Sequence, residues 1–254
     1  TFRDVPYVTS PSIDDSQNYQ VAATPFETVL ESIIADVEAV KEDAVRSYGE
    51  ESVENTCRIT RWACYALLAD LYLWKGDWQK CIDCCDMVIN QKIKEYEKEY
   101  EENPTTMTVE LYDIYPLISE SLSNSNYAGN AYTEIFGAGN SFESIFELNF
   151  VNNQSVANNT VSSFYGSSSN KTGQIGAPTF LYSDAYAGLN DYFAKTDCRY
   201  LENMSESNNK IYISKYVNQS VSFRTSTTTG AAPTVNGEVR SSAYANWIIY
   251  RLTD

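Results

Sequence analysis

From Thr60 to Trp74 the chain is apolar around nearly the whole circumference of a helix, with Trp62, Ala63, Tyr65, Leu67, Leu68, Leu71, Tyr72 and Leu73 closely spaced. A surface helix carries a single apolar stripe, so a helix apolar all round must be covered on more than one side. The segment therefore demands neighbours. Gly76 follows, where a left-handed residue ends a helix without steric cost, and Asp77 is placed to cap the next one. Beyond it Trp78, Cys81, Ile82, Cys85, Val88 and Ile89 recur at helical spacing on one face. Two antiparallel helices joined by Lys75-Gly76-Asp77 are predicted, with Cys81 and Cys85 on the buried face of the second.

A third helix is predicted upstream. Thr24-Pro25-Phe26-Glu27 reads as an N-cap threonine, a proline at the first helical position and a glutamate able to bond back to the cap. Phe26, Val29, Leu30, Ile33, Ile34, Val37 and Val40 then form one apolar stripe, with Glu31, Asp36, Glu38 and Lys41 between them. The downstream hairpin resembles one tetratricopeptide repeat. Leu68, Ala69, Tyr72, Gly76, Cys81 and Val88 fall at the spacing of that repeat's leucine, small residue, tyrosine, glycine and two later small positions, with Cys81 and Val88 standing where alanine is usual. One hairpin cannot bury its own faces, so the Thr24 helix is expected to belong to a neighbouring unit.

After Lys92 a highly charged stretch through Glu102 reads as a solvated helix, broken at Asn103-Pro104. The chain then turns loop-rich. Phe142–Phe150 alternates apolar and polar residues as a short strand does. Residues 152–172 and 220–242 are rich in Asn, Ser, Thr and Gly, and read as loops. Sequons at Asn153, Asn159, Asn170, Asn203 and Asn218 are what such a composition produces by chance, against a glycosylation reading in a eukaryotic secreted protein.

Charge and residue types exclude several functions. A net charge of -16 repels a phosphate backbone, so nucleic acid is not an expected partner. No apolar run approaches the roughly 18 residues of a spanning helix. Among six cysteines, Cys81-x-x-Cys84-Cys85 has a metal-like look, but there is no histidine, and Cys57, Cys64 and Cys198 are distant; core packing is the expected role. No metal or cofactor is expected, and Asp14-Asp15 lacks an ordered series of calcium ligands. No nucleophile elbow or phosphate loop is present, and histidine-based acid/base chemistry is excluded. Paired carboxylates among 34 acidic residues remain the open route to glycoside hydrolysis.

Four blocks make the chain similar to the SusD/RagB family. The first is Val5-Pro6-Tyr7-Val8-Thr9 with Ile33-Ile34-Ala35-Asp36-Val37. The second and most specific is Arg58-Ile59-Thr60-Arg61 leading into Ala66-Leu67-Leu68-Ala69-Asp70-Leu71-Tyr72-Leu73, then Gly76-Asp77-Trp78 and Val88-Ile89. The third is Ser144-Ile145-Phe146-Glu147-Leu148-Asn149-Phe150. The fourth is scattered over Asp184-Ala185-Tyr186, Asp197, Arg199, Lys215-Tyr216 and Ile249-Tyr250-Arg251-Leu252-Thr253-Asp254. Departures at Cys57, Trp62, Cys64 and Thr253 are changes of packing.

The resemblance implies a mainly α, SusD-like fold with tetratricopeptide-type hairpins plus a loop-rich region of short strands. Residues 1–102 would form the helical scaffold and residues 103–254 a loop-rich region ending at the start of a further helix, as one integrated domain. It also implies a middle segment, with a lipidated cysteine before it and more helical scaffold after. The function implied is capture of oligosaccharide at the outer-membrane surface for a SusC-like TonB-dependent transporter, without catalysis. Sugars are held by aromatic faces and by polar groups that satisfy their hydroxyls. Phe164 and Tyr165, in the Asn/Ser-rich loop, are the candidate ligand-binding residues, chosen by position and chemistry. The rival readings are a tetratricopeptide-type protein-interaction module, since such hairpins present grooves to peptides, and a surface protein for peptides or another non-glycan nutrient.

Overall fold

A computed structural model describes residues 4–11, 13, 20–49, 52–119, 131–150, 157–165, 204–207, 210–213, 216, 223–224, 234–235 and 245–254. The helices are α1 (Phe26–Val40), α2 (Ser52–Cys57), α3 (Arg61–Lys75), α4 (Trp78–Glu102) and α5 (Asn159–Tyr165), with a π-helical turn over Thr133–Ala138. Strands pair as antiparallel ribbons: β1 (Val5–Pro6) with β2 (Ala23–Thr24), β3 (Val109–Tyr112) with β4 (Tyr115–Ile118), β5 (Ser144–Leu148) with β10 (Trp247–Arg251), β6 (Met204–Ser207) with β7 (Lys210–Ile213), and β8 (Phe223–Arg224) with β9 (Thr234–Val235). Helices hold about half of the described residues, so the fold is mainly α with short strands. The chain divides into two compact units, residues 1–48 with 59–91 and residues 49–58 with 92–254.

In the first unit the inner helix is α3. Leu68 is fully buried, and Ala63, Cys64, Tyr65, Ala69 and Tyr72 are buried around it. Polar contacts give its direction against α1: Glu31 pairs with Lys75, Glu38 accepts from Tyr72 Oη at 2.9 Å, and Glu42 accepts from Tyr65 Oη at 2.5 Å. The α1 number rises as the α3 number falls, so the two helices run antiparallel. Thr60 Oγ1 caps α3 by accepting from the Ala63 N–H at 3.3 Å. Gly76 ends it at φ +78°, and the Gly76 and Asp77 N–H groups satisfy the carbonyls of Leu73 and Tyr72. Asp77 Oδ1 accepts from the Lys80 N–H at 3.4 Å and opens α4. The predicted hairpin is thus present with its glycine and its cap.

Two local expectations are corrected. The capping box at α1 does not form: Thr24 is extended, paired with Val5 in the β1–β2 ribbon, and the cap position passes to Pro25, which has no side-chain acceptor. The buried line of α4 is Cys84 and Val88, whereas Cys85 is exposed and Cys81 half-buried. Cys84 lies close enough to Tyr65 and Tyr72 to influence both phenols, so the seam beside those rings takes the small side chain at 84. That rotation leaves Trp78 and Ile82 exposed on the shoulder of α4, and Trp74 of α3 is exposed as well, with the ring of Phe26 edge-on to it at 6.2 Å. Burial pushes the Cys84 thiol up to about 11, which makes it an inert core group.

The α1–α3 seam carries a pH signature. Burial first, and the bond to a carboxylate second, push the Tyr65 and Tyr72 hydroxyls up to about 12. In the unfolded chain a tyrosine loses its proton near pH 10. The folded form holds the proton more tightly, so the stability these groups contribute is complete below about pH 10 and is lost as the pH rises toward 12. Tyr72→Phe should destabilise the unit by about 1 kcal/mol at pH 7, the worth of one hydrogen bond. By pH 12 the variant and the parent should converge in urea melts followed by far-UV circular dichroism.

In the second unit, Lys92–Glu102 is helical as expected, continuous with α4, and none of its residues is fully buried. Tyr96 packs with Val109, Ile118 and Ile135, joined by Met107, Phe136, Phe142 and Ile248. Lys92 donates to the Phe142 carbonyl at 2.7 Å, pairs with Glu95, and lies over the Phe142 ring. The predicted strand appears as β5, and its partner Trp247–Arg251 is itself a strand, with Trp247 opposite Leu148 and Arg251 opposite Ser144. Two predicted loops hold structure where they are described. Residues 159–165 form α5, because Asn158 Oδ1 caps it by accepting from the Val161 N–H at 3.3 Å and Val161 is fully buried. Within 220–242, Phe223–Arg224 pairs with Thr234–Val235.

Candidate functional site

The two residues singled out for ligand binding sit at the end of α5 and face different surroundings. Phe164 is 47% exposed, whereas Tyr165 is half-buried with its ring 5.7 Å from that of Tyr216. Tyr216 is the hub of an aromatic group. Its ring stacks on Trp247 at 5.3 Å with 13° between planes, and meets Phe136 edge-on at 5.6 Å. Phe136 in turn lies 5.2 Å from Tyr132 and carries the Arg251 guanidinium over its face at 5.3 Å. Val161, Tyr216 and Ala245 are the buried floor, with Phe136, Tyr165 and Trp247 partly buried around them.

Tyr216 holds φ +71°, a left-handed conformation uncommon for a bulky residue and one that occurs where surroundings over-determine the backbone. Its phenol is raised from its ordinary range by burial and then by the neighbouring Tyr165 hydroxyl. Sequence reasoning placed Tyr216 in a scaffold block and missed Trp247 and Phe136 as its partners, since rings brought together from distant parts of the chain leave no mark in local spacing.

Beneath this group lies a polar node built on Glu147, which is fully buried in β5. Its Oε2 accepts from the Asn140 N–H at 2.9 Å and from Asn246 Nδ2 at 2.7 Å, and its Oε1 accepts from Ser144 Oγ. Asn140 Oδ1 takes the hydroxyl of Thr56 at 2.6 Å and the thiol of Cys57 at 3.4 Å, which ties α2 to the node. Asn246 Oδ1 accepts from the Phe150 N–H, and Asn158 Nδ2 donates to the Ala245 carbonyl. Residues 245 and 246 are therefore clamped from both sides, which fixes where Trp247 begins β10 and meets Tyr216.

A second carboxylate, Glu143, is also buried. It accepts from the Ile118 N–H at 3.0 Å, and burial raises it above the ordinary carboxylate range while that N–H pulls it down. Glu143 and Glu147 are acceptors turned inward, and the node occupies both oxygens of Glu147 with protein donors. The pair is thus a structural arrangement and not the two solvent-facing carboxylates that glycoside hydrolysis uses. Among the described residues no group of three or more His, Cys, Asp or Glu side chains is arranged to hold a metal, and no helix is long and apolar enough to cross a membrane. What the surface offers is an exposed phenyl ring beside a supported cluster of larger rings.

Several sequence-stated features fall outside the described residues: Cys198, Asp14-Asp15, the sequons other than Asn159, and the block residues Asp184, Ala185, Tyr186, Asp197, Arg199 and Lys215. Asn159 is the exposed first residue of α5.

No family model matches the sequence, and no curated protein matches it. Among solved structures, the chain is similar to a SusD superfamily protein from Bacteroides vulgatus ATCC 8482, with a TM-score of 0.45 and 15% identity over 92% of this chain and 41% of that one. It is also similar to a SusD-like protein from Bacteroides fragilis NCTC 9343, with a TM-score of 0.41 and 14% identity over 97% of this chain and 46% of that one. The chain spans less than half the length of either.

Proposed function

We propose that this chain is a segment of a SusD/RagB-like surface protein that binds an oligosaccharide and hands it to a SusC-like TonB-dependent transporter, held at the outer membrane by a lipid anchor outside these residues. The observation that carries the reading is the second sequence block. Supporting it, Leu68, Ala69 and Tyr72 of that block are buried, and Gly76 turns the chain at positive φ. The role in this reading is binding without turnover. Phe164 and Tyr165 are the proposed ligand contacts, with Tyr216 and Trp247 supporting Tyr165 from behind.

The test is a glycan screen of the full-length protein, followed by calorimetry on the best ligand. Phe164→Ala should weaken affinity about tenfold, the worth of one aromatic face in contact. Because Phe164 is exposed, that change should move stability by less than about 0.5 kcal/mol. Unchanged affinity in a Phe164→Ala/Tyr165→Ala variant would remove these residues from the site. The exposed apolar shoulder of Trp74, Trp78 and Ile82 supports the second reading, a protein-interaction module or a receptor for peptides; binding to a peptide library and to no glycan would favour it.

A further inference from the structure

The β3–β4 hairpin has two unlike faces. Pairing of Val109 with Ile118, Glu110 with Leu117, Leu111 with Pro116 and Tyr112 with Tyr115 sets the alternation. Val109, Pro116 and Ile118 are buried on the inner face and anchor the ribbon. The outer face holds Glu110, Tyr112, Tyr115 and Leu117. Its two tyrosines stand directly opposite each other and are 48% and 41% exposed. The connection is the two-residue turn Asp113-Ile114, with Asp113 at φ +58° and Ile114 exposed beside it. Such a rigid, short turn presents its side chains at little entropic cost on binding.

Among the described residues, neither Glu110 nor Asp113 meets a cation, and neither the Tyr112 nor the Tyr115 ring meets another ring or a cation. Glu31, Glu38, Glu42, Glu54, Asp77, Glu95, Glu102 and Asp254 each have a basic partner, whereas Glu110 and Asp113, like Glu97 and Glu101 of α4, have none among the described residues; what sets the hairpin apart is the pair of exposed tyrosine rings beside its carboxylates. An aromatic face carries partial negative charge, so two tyrosine faces flanked by two free carboxylates are complementary to an organic cation with a flat surface. Arginine fits best, since its guanidinium stacks on a ring while its N–H fork bonds a carboxylate.

The geometry points to the outer face of this hairpin, Tyr112 and Tyr115 flanked by Glu110 and Asp113, as a docking surface for an arginine-bearing segment of a partner protein. The surface is independent of the glycan contacts proposed at α5. Each ring contributes through cation–π contact and each carboxylate through a solvent-exposed pair, so the interaction is weak per residue and depends on salt.

The test uses the full chain and an amidated hexa-arginine peptide, titrated by calorimetry at low and at 300 mM salt, with hexa-lysine and maltoheptaose as comparison probes. Tyr112→Ala/Tyr115→Ala keeps every charge and should weaken hexa-arginine binding about tenfold. Glu110→Gln/Asp113→Asn, which leaves the buried anchors untouched, should weaken it similarly and flatten the salt dependence. Glu97→Gln/Glu101→Gln, removing two exposed charges from α4, should leave affinity within about twofold of the parent, and hexa-lysine should bind more weakly than hexa-arginine. The proposal is overturned if the tyrosine variant binds hexa-arginine as the parent does, or if the α4 charge variant loses as much as the hairpin one, since binding would then reflect net charge alone. It is also overturned if the tyrosine variant loses only maltoheptaose binding, which would make the hairpin a sugar platform.

Discussion

Glu147→Ala should destabilise the second unit by roughly 3–5 kcal/mol, the largest effect expected of any polar substitution in the described residues. The reason is the set of donors it leaves behind. Removing the carboxylate orphans the buried Asn246 amide and Ser144 hydroxyl and the part-buried Asn140 N–H. Each buried unsatisfied donor costs about 1–3 kcal/mol, and the hydroxyl alone can turn to Ser141 Oγ, 2.9 Å away. Glu147→Gln should be far milder, at about 1–2 kcal/mol. Its amide oxygen can keep the two N–H donors, while its NH2 faces Ser144 Oγ, which can reverse and accept. Chemical denaturation of the three proteins gives the order: parent, then Gln, then Ala. An Ala variant as stable as the Gln variant would mean that the node contributes nothing beyond packing volume.

The Glu147 node also marks where sequence reading stopped. The α3–α4 hairpin was legible because each of its determinants is local: continuous apolarity at 62–73, a glycine at the turn and an aspartate after it. The strand at 144–148 was legible by its alternation, but not the direction in which it faces. The apolar residue Leu148 is exposed while Glu147 is buried. An acidic residue reads as solvated in any one-dimensional pattern, and here one partner, Asn246, lies 99 residues away, where no local window contains it. The same limit explains α5. Seven residues of Asn, Ser, Thr and a few apolar side chains look like loop until Asn158 is seen both to cap the helix and to donate to Ala245. In α4 periodicity gave the existence of an apolar face but missed its rotation, because the buried line is chosen by Tyr65 and Tyr72 on the neighbouring helix. Of the candidate site, position and chemistry single out Phe164 and Tyr165 as candidates, whereas the rings that support Tyr165 come from residues 136, 216 and 247, which only the fold assembles.

Gly139→Ala should cost about 3 kcal/mol, and the way that cost divides tests how the node works. Gly139 sits at φ +71°, where an alanine side chain is strained by about 1 kcal/mol relative to glycine. The new Cβ would also stand 2.7 Å from Asn246 Nδ2, closer than such atoms approach, and a tight 3.1 Å from Glu147 Oε2. Asn246 would have to move, and it is itself buried and bonded to Glu147 and to the Phe150 N–H, so its displacement forfeits at least one bond at about 1–3 kcal/mol. These two contributions separate in a double-mutant cycle. In an Asn246→Ala background the obstructing amide is gone, and Gly139→Ala should then show only the backbone cost of about 1 kcal/mol. The coupling of about 2 kcal/mol is the part of Gly139's role that concerns space for Asn246. Additive costs would place the whole effect in the backbone and leave the close approach of Gly139 to Asn246 without energetic consequence. Since Asn246 precedes Trp247, the same substitution should disturb the Tyr216–Trp247 stack, and with it the support behind Tyr165.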